Sequence, residues 1–147
     1  MLSAGRIVTQ GDSPHEHERE AIRHAIEVLP DQDPYHIWGL CELLEPATGR
    51  LYEIDLIVLG YACLYLVEIK SGPGRYQGDM VDWWRTTEEG RSIYMEAPYR
   101  LANFKAKVLA SRLKKAIKGG VRCPWVQPLV FLSHEKTVID LKPEGRI

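Results

Sequence analysis

The sequence lacks long apolar runs, internal repeats and low-complexity tracts. No apolar run approaches the ~20 residues that a membrane-spanning helix needs, so we expect no contact with a membrane. The amino terminus has neither the basic start nor the apolar core of a secretory signal, which makes the cytoplasm the expected location. The 147 residues leave room for one compact domain, because single domains commonly have ~100–150 residues.

Cysteine is scarce as well. The chain has only three cysteines, Cys41, Cys63 and Cys123, and they are widely spaced among apolar neighbours. An odd number in such surroundings argues for reduced thiols in the core and against disulfides or a zinc knuckle.

An excess of charge of either sign is also missing, since the net charge is −1 at pH 7. The chain as a whole therefore does not indicate a nucleic-acid partner. The distribution of charge is more informative, because residues 100–118 hold seven lysines and arginines and no acidic residue. A basic segment of this kind could attract a phosphate backbone if a carboxylate cluster lies beside it.

The pattern of apolar residues predicts a helix, three strands, a helix and a strand, in that order. This order is typical of an α/β fold in which helices flank a central mixed sheet. We expect an irregular lead-in at residues 1–13 and a single domain over 14–147, with Ser13 as the cap of the first helix. Residues 78–91 read as a polar segment with a turn at 88–90. The predicted elements are helices Pro14–Leu29 and Pro98–Lys118 and strands Tyr35–Leu44, Leu51–Leu59, Cys63–Lys70, Ile93–Glu96, Val126–Leu132 and, more weakly, Val138–Leu141.

Three charged residues, Asp55, Glu68 and Lys70, lie inside the apolar strands instead of at their ends. Removing such a charge from water costs several kcal/mol unless a partner or a metal compensates. Residues two apart on a strand project from the same face, so Glu68 and Lys70 share one side and Ile69 faces the other. If the two strands pair, Asp55 comes close to Glu68. The alternative is a solvated Glu68–Lys70 pair on an edge strand.

The carboxylates of Asp55 and Glu68, with the backbone carbonyl of Ile69, would make an all-oxygen site for Mg²⁺ or Mn²⁺. A metal there would activate a water and neutralise charge on a phosphate, while Lys70 would orient or deprotonate that water. The pattern therefore predicts a metal-dependent phosphodiesterase.

A third acid is expected from the first helix. At 100° per residue, Glu18 projects along the same direction as the apolar residues of that helix, whereas Glu20 and Glu27 point away. We therefore expect Glu18 at the metal site. The alternative is that Glu18 only favours the helix dipole from a solvated first turn.

Two further groups allow either of two interpretations. Lys105, Lys107 and Arg112 on the second helix would face DNA, although a basic helix face is often only solvated. Trp83 and Trp84 could stack on the bases of an opened strand, but packing is the commoner role of adjacent aromatics.

The central motifs resemble a known family. The stretch YEIDLIVLG, followed by YLVEIKSGPGRYQGD, resembles the NERD (nuclease-related) domain, a branch of the PD-(D/E)xK nuclease superfamily. The resemblance implies a restriction-endonuclease-like core with Asp55, Glu68 and Lys70 on the catalytic positions. It also implies that Glu18 is the helical glutamate that these nucleases add to the metal site.

The segment YRLANFKAKVLASRLKK is similar to the helix that follows the core in NERD domains of large bacterial serine/threonine kinases of the Pgl/BREX phage-defence type. The resemblance implies DNA as a partner and further kinase or ATPase domains in a longer polypeptide. Many NERD domains have Asn-Pro and then a glutamine where this chain has Ala97-Pro98 and Leu101. The role of that glutamine is therefore expected to be absent or to fall to Asn103 or Gln77.

The expected function is a metal-dependent DNA endonuclease domain, in phage defence or DNA processing, that hydrolyses DNA without regard to sequence. A homodimer would let one such site on each copy cut both strands. The alternatives are a DNA-binding or sensing module that cleaves poorly and regulates an attached enzyme, and an interaction domain whose buried charges pair among themselves.

Overall fold

The structure, a computed structural model, describes residues 1–142 as two β-sheets and two α-helices. It confirms the mixed α/β class and the predicted order of the main elements. The elements are a 3-10 turn at Ala4–Arg6, β1 Ile7–Thr9, α1 Glu16–Val28, β2 His36–Glu45, β3 Arg50–Leu59, β4 Leu64–Lys70, β5 Gly74–Gly78, β6 Asp82–Thr86, β7 Ser92–Glu96, α2 Pro98–Ala116, β8 Val126–Leu132 and β9 Thr137–Leu141.

The first sheet has the strand order β1-β2-β3-β4-β8 and lies between the two helices. Strands β2, β3 and β4 are antiparallel, whereas β8 runs parallel to β4. Helix α1 packs Ala21 and Ile22 on one face of the sheet, and α2 packs Ala102 and Ala106 on the other. Because both faces are covered, β3 and β4 are apolar almost throughout instead of alternating with polar residues.

The alternation of faces along β3 breaks at Asp55. Ile54 and Ile57 both pack on the α2 side, although they are three residues apart and Leu56 packs on the α1 side. On the neighbouring strand, Leu40 has φ = 56°, which is uncommon for a residue other than glycine. The β2–β3 ladder omits the Leu40–Asp55 pair, so Asp55 is released from the regular hydrogen bonding.

Strands β3 and β4 diverge at the same point. Their ladder ends at the pair Leu56–Val67, while β4 continues to Lys70 paired with β8. Continuing the register by one residue places Asp55 opposite Glu68. We call this opening between β3 and the end of β4 the fork.

The second sheet, with the order β7-β6-β5-β9, was not expected from the sequence apart from β7 and β9. Residues 78–91 are not only a polar segment, because they contain β6, which buries Trp83 beside Tyr76 and leaves Trp84 41% exposed. Gly74 and Gly78 permit the close pairing of β5 with β6. A Cβ at Gly74 or Gly78 would clash with a backbone carbonyl oxygen of β6, that of Thr86 or Asp82 respectively.

The lead-in also differs from the prediction. Residues 4–9 form the 3-10 turn and β1, which pairs in parallel with β2, so this part of the segment is not irregular. Helix α1 begins at Glu16 instead of Pro14, and His15 is its cap residue, without a side-chain hydrogen bond. Residues 143–147 of the predicted domain lie outside the described residues.

Two further properties concern the helices and the cysteines. Within residues 1–142, none of the helices is both long and apolar enough to cross a lipid bilayer. Cys41, Cys63 and Cys123 are free thiols.

Candidate functional site

The fork is held by a hydrogen bond between a side chain and the backbone. The backbone N–H of Ile69 donates to Oδ2 of Asp55 at 2.8 Å, which takes the place of a ladder bond beyond Leu56–Val67. Because this bond fixes one carboxylate oxygen, the carboxylate of Asp55 has a defined orientation beside Glu68.

Burial raises the pKa of Asp55 to about 6. The negative charges of Glu68 and Glu18 also contribute to this rise in pKa, while the Ile69 amide and the ammonium of Lys105 oppose it. Because its pKa is raised, the ionised form of Asp55 is less favourable in the fork than in water.

Glu68 and Lys70 project from the same face of β4, and both line a cavity of about 300 Å³ at the start of α2. Ile69 packs on the opposite face, against α1, as the strand alternation predicted. The solvated edge-strand alternative is wrong, because β4 lies between β3 and β8 and Glu68 is 6% exposed.

Glu68 forms a buried ion pair with a lysine of α2. The ammonium of Lys105 lies 3.2 Å from Oε2 of Glu68 and also donates to the backbone carbonyl of Glu53. Lys105 is 5% exposed, so the interpretation of this residue as a DNA-facing lysine is wrong in this structure.

A signal for the buried position of Lys105 was present in the sequence. Lys105 follows Ala102 by three residues and precedes Ala106, and both alanines belong to the core that α2 buries. Residues at this spacing share one face of a helix. An ammonium on the apolar face of α2 thus indicated a buried partner on the sheet, and Glu68 is that partner.

Glu18 lies at a second cavity beside the fork, separate from the one that Glu68 and Lys70 line. It lines a cavity of about 350 Å³ together with Asp55 and three further acids, Asp12, Glu42 and Glu53. The hydroxyl of the buried Ser13 donates to the carboxylate of Glu18 and accepts the N–H of His15. Ser13 therefore positions Glu18 instead of capping the helix in the predicted way.

The oxygen atoms at the fork are of the type that a hard divalent cation prefers as ligands. Asp55 and Glu68 supply two adjacent carboxylates, and Mg²⁺ keeps several waters and needs only one or two carboxylates. Among residues 1–142, no three side chains of His, Cys, Asp or Glu gather closely enough to hold a metal ion. Glu18 as a third ligand, and the Ile69 carbonyl as another, therefore stay predictions.

The other predicted nucleic-acid contacts do not converge on the fork. Asn103 and Lys107 line a groove between α2 and the loop before β8, while Arg112 is exposed outside it. Gln77 lies in the second sheet, where its amide donates to Asp140 at 3.2 Å. Of this group, only Lys105 reaches the fork, through the core.

Comparison with known proteins agrees with these features. A family model described as "Nuclease-related domain" (NERD) matches residues 13–133. The chain is 35% identical over 129 residues to a protein of Streptomyces coelicolor described as "Probable kinase PglW". The match covers 88% of this chain and 8% of that relative. No solved structure matches the chain significantly.

Proposed function

The chain belongs to the nuclease-related domain family, and from that premise we propose that it is the DNA-cleaving domain of a divalent-metal-dependent nuclease. The observation that carries the proposal is the fork, where the carboxylate of Asp55 is close enough to feel the charge of Glu68, and Lys70 lines the same cavity as Glu68. Structural charges alone would be expected to neutralise one another, yet burial and neighbouring acids raise the pKa of Asp55.

In this proposal Asp55, Glu68 and the carbonyl of Ile69 hold Mg²⁺ or Mn²⁺, with Glu18 as a further acid at the second cavity. A bound divalent cation supplies Lewis-acid stabilisation of charge on the phosphate. Lys70, on the same face as Glu68, orients the attacking water and accepts or shares its proton. The N–H of Ile69 keeps the Asp55 carboxylate directed into the fork.

The Lys105–Glu68 ion pair has a clear part in this scheme. A buried carboxylate without a cation is strongly unfavourable, and the ammonium of Lys105 compensates the charge of Glu68 and positions its carboxylate. Because Lys105 is bonded to only one oxygen of Glu68, Oε2, the other carboxylate oxygen can serve as the metal ligand.

The setting we propose is a longer polypeptide with further domains, of kinase or ATPase type, in phage defence or DNA processing. The chain spans 8% of a relative described as a probable kinase, which supports this setting. A homodimer would supply two sites for cutting both strands.

The test is cleavage of plasmid and single-stranded DNA with Mg²⁺ or Mn²⁺. We expect Lys70→Ala and Asp55→Asn each to lower the rate by about 100-fold or more, within the range of general acid–base and electrostatic contributions. Lys115→Ala, which removes an exposed charge of α2 away from the fork, is the matched control and keeps activity. Cleavage that survives both fork variants would contradict the assignment.

A second function is favoured by two observations. Lys105 already neutralises Glu68, and among the described residues the three acids do not gather into a metal cluster. We therefore keep as the alternative a DNA-binding or sensing module that cleaves poorly and regulates an attached enzyme. Salt-sensitive DNA binding without cleavage, together with no thermal stabilisation by Mg²⁺, would favour this alternative.

A further inference from the structure

A groove with a mixed polar and apolar lining lies away from the fork. It has a volume of about 660 Å³ and runs between α2, the β3–β4 turn and the loop before β8. The groove is at the beginning of β4 and β8, whereas the fork is at the end of β4. The seven residues Leu64–Lys70 correspond to about 20 Å of extended strand.

The groove combines cations and aromatic rings. Its lining includes three cations, Lys107, Lys114 and Arg122, and three aromatic side chains, Tyr61, Tyr99 and Trp125. Within residues 1–142, no aspartate or glutamate lines it. The acidic cavity beside Asp55 has the opposite character, so the two sites differ in the ligand charge that they favour.

Two of the rings are exposed and yet held in place. Tyr61 and Trp125 are 71% and 70% exposed. The Trp125 indole N–H donates to Oε1 of Gln127 at 3.1 Å, and the Tyr61 ring meets Tyr35 edge to face with centroids 5.4 Å apart. Large exposed aromatic faces held at an open groove are suited to stacking on the planar bases of a nucleic acid.

The spacing of the cations favours a strand over a single nucleotide. Lys107 and Lys114 are seven residues apart on α2, which separates them by about 10 Å along the helix axis. Arg122 adds a third cation from the loop. Cations spread in this way match successive phosphates of a backbone, and only unpaired bases expose their faces to Tyr61 and Trp125.

We propose that this groove, which we call the basic–aromatic groove, binds single-stranded DNA, with Trp125 and Tyr61 stacking on bases and Lys107, Lys114 and Arg122 contacting phosphates. The inference rests on the proposed function for its substrate class, since it gives the nuclease site a preference for strands that are already unpaired. It assigns no residue of the groove to the cleavage step.

The test measures DNA binding without cleavage. Fluorescence anisotropy of a short labelled oligothymidylate in EDTA reports affinity for the intact chain, and a duplex of the same length is the comparison. We expect the single strand to bind about 10-fold or more tightly than the duplex, because stacking on aromatics requires unpaired bases.

Charge removal tests the phosphate contacts. Lys107→Gln, Lys114→Gln and Arg122→Gln together should reduce the slope of log K against log salt by about 2, since each single-strand phosphate contact contributes ~0.7. The matched control is Arg23→Gln, Lys115→Gln and Lys118→Gln, which removes the same charge from exposed positions outside the groove. Equal losses in both triple variants would overturn the proposal.

Stacking is tested at one ring. Trp125→Ala should weaken binding to the single strand by about 5-fold or more and abolish the DNA-dependent quenching of its fluorescence, whereas Trp125→Phe should retain most of the affinity. An unchanged affinity in Trp125→Ala, or competition by thymidine monophosphate as strong as by the strand, would overturn the proposal. Because EDTA prevents cleavage, failure here is distinct from failure of the nuclease assignment, which the plasmid assay decides.

Discussion

The two ends of β4 carry charge in opposite ways. At its carboxyl end the fork buries carboxylates, with Glu68 6% exposed and paired to a buried lysine. At its amino end the basic–aromatic groove keeps its cations in contact with solvent around exposed aromatic rings. Buried charges change the free energy of unfolding strongly, whereas exposed ones change it little. Stability measurements can therefore separate the two ends even before any ligand is known.

The largest expected effect comes from removing the buried cation. Lys105→Met leaves Glu68 buried without its partner, which should lower the free energy of unfolding by about 3–5 kcal/mol. Urea denaturation in EDTA measures the change. Lys107→Met, two residues along the same helix but exposed, is the matched control and should alter stability by about 0.5 kcal/mol or less. Similar losses in the two variants would remove the contrast between the two ends.

A change of opposite sign is expected at Asp55. Its pKa is 3.8 in the unfolded reference and about 6 in the folded chain. Stability should therefore fall as pH rises from about 4 to 6, because the folded state binds more protons in this interval. At pH 7.5 and without metal, Asp55→Asn should stabilise the chain by about 1–3 kcal/mol, since each pKa unit is worth ~1.4 kcal/mol.

Measuring the free energy of unfolding at several pH values checks this sign. The Asp55→Asn curve should be flatter between about pH 4 and 6 than that of the unsubstituted chain. Glu42→Gln removes an exposed carboxylate from the same cavity and is the matched control, because exposed substitutions seldom change the free energy of unfolding by more than about 0.5 kcal/mol. A loss of stability in Asp55→Asn at pH 7.5 would contradict this prediction, because it would mean that the folded chain already compensates the negative charge of Asp55.

The ion pair can also be removed as a unit. Lys105→Met combined with Glu68→Leu replaces two buried charges by apolar side chains, which is often neutral or stabilising. We expect the double variant to be within about 1 kcal/mol of the unsubstituted chain, far above Lys105→Met alone. A double-mutant cycle measured by denaturation gives the coupling. Additive losses would show that Lys105 acts through packing and not through Glu68.

The smallest expected effect lies in the groove. Replacing Lys107, Lys114 and Arg122 together by glutamine should change the free energy of unfolding by about 0.5 kcal/mol or less, because surface substitutions seldom do more. The same triple variant should lose affinity for single-stranded DNA. A large loss of stability would indicate that these cations stabilise the fold, and it would contradict the expected difference between the groove and the fork.

Much of the first sheet was predictable because its signals are local. The apolar runs of β3 and β4, the turn between them and the amphipathic pattern of α2 each lie within a short segment. The strand β8 was predicted with its observed bounds. The shared face of Glu68 and Lys70 followed from alternation along one strand, which needs no knowledge of distant residues.

The second sheet and the fork depend on distant pairings. Strand β5 pairs with β9, which is about 60 residues away in the chain, and its sequence is rich in glycine and polar residues, so no local pattern favoured a strand. Likewise, the charge of Lys105 led to the prediction that it faces DNA, whereas its buried position depends on its pairing with Glu68, 37 residues earlier in the chain. The break in alternation at Asp55 has its counterpart at Leu40, on another strand.

The hydrogen bond from Ile69 to Asp55 gives the fork a natural spectroscopic probe. Most amide protons of a sheet are bonded to other backbone groups, but this one is bonded to a side chain that can gain a proton. In an NMR spectrum, the chemical shift of the Ile69 amide should follow the charge of Asp55 as pH passes through about 6. One resonance would thus report the state of the fork without a label or a substrate.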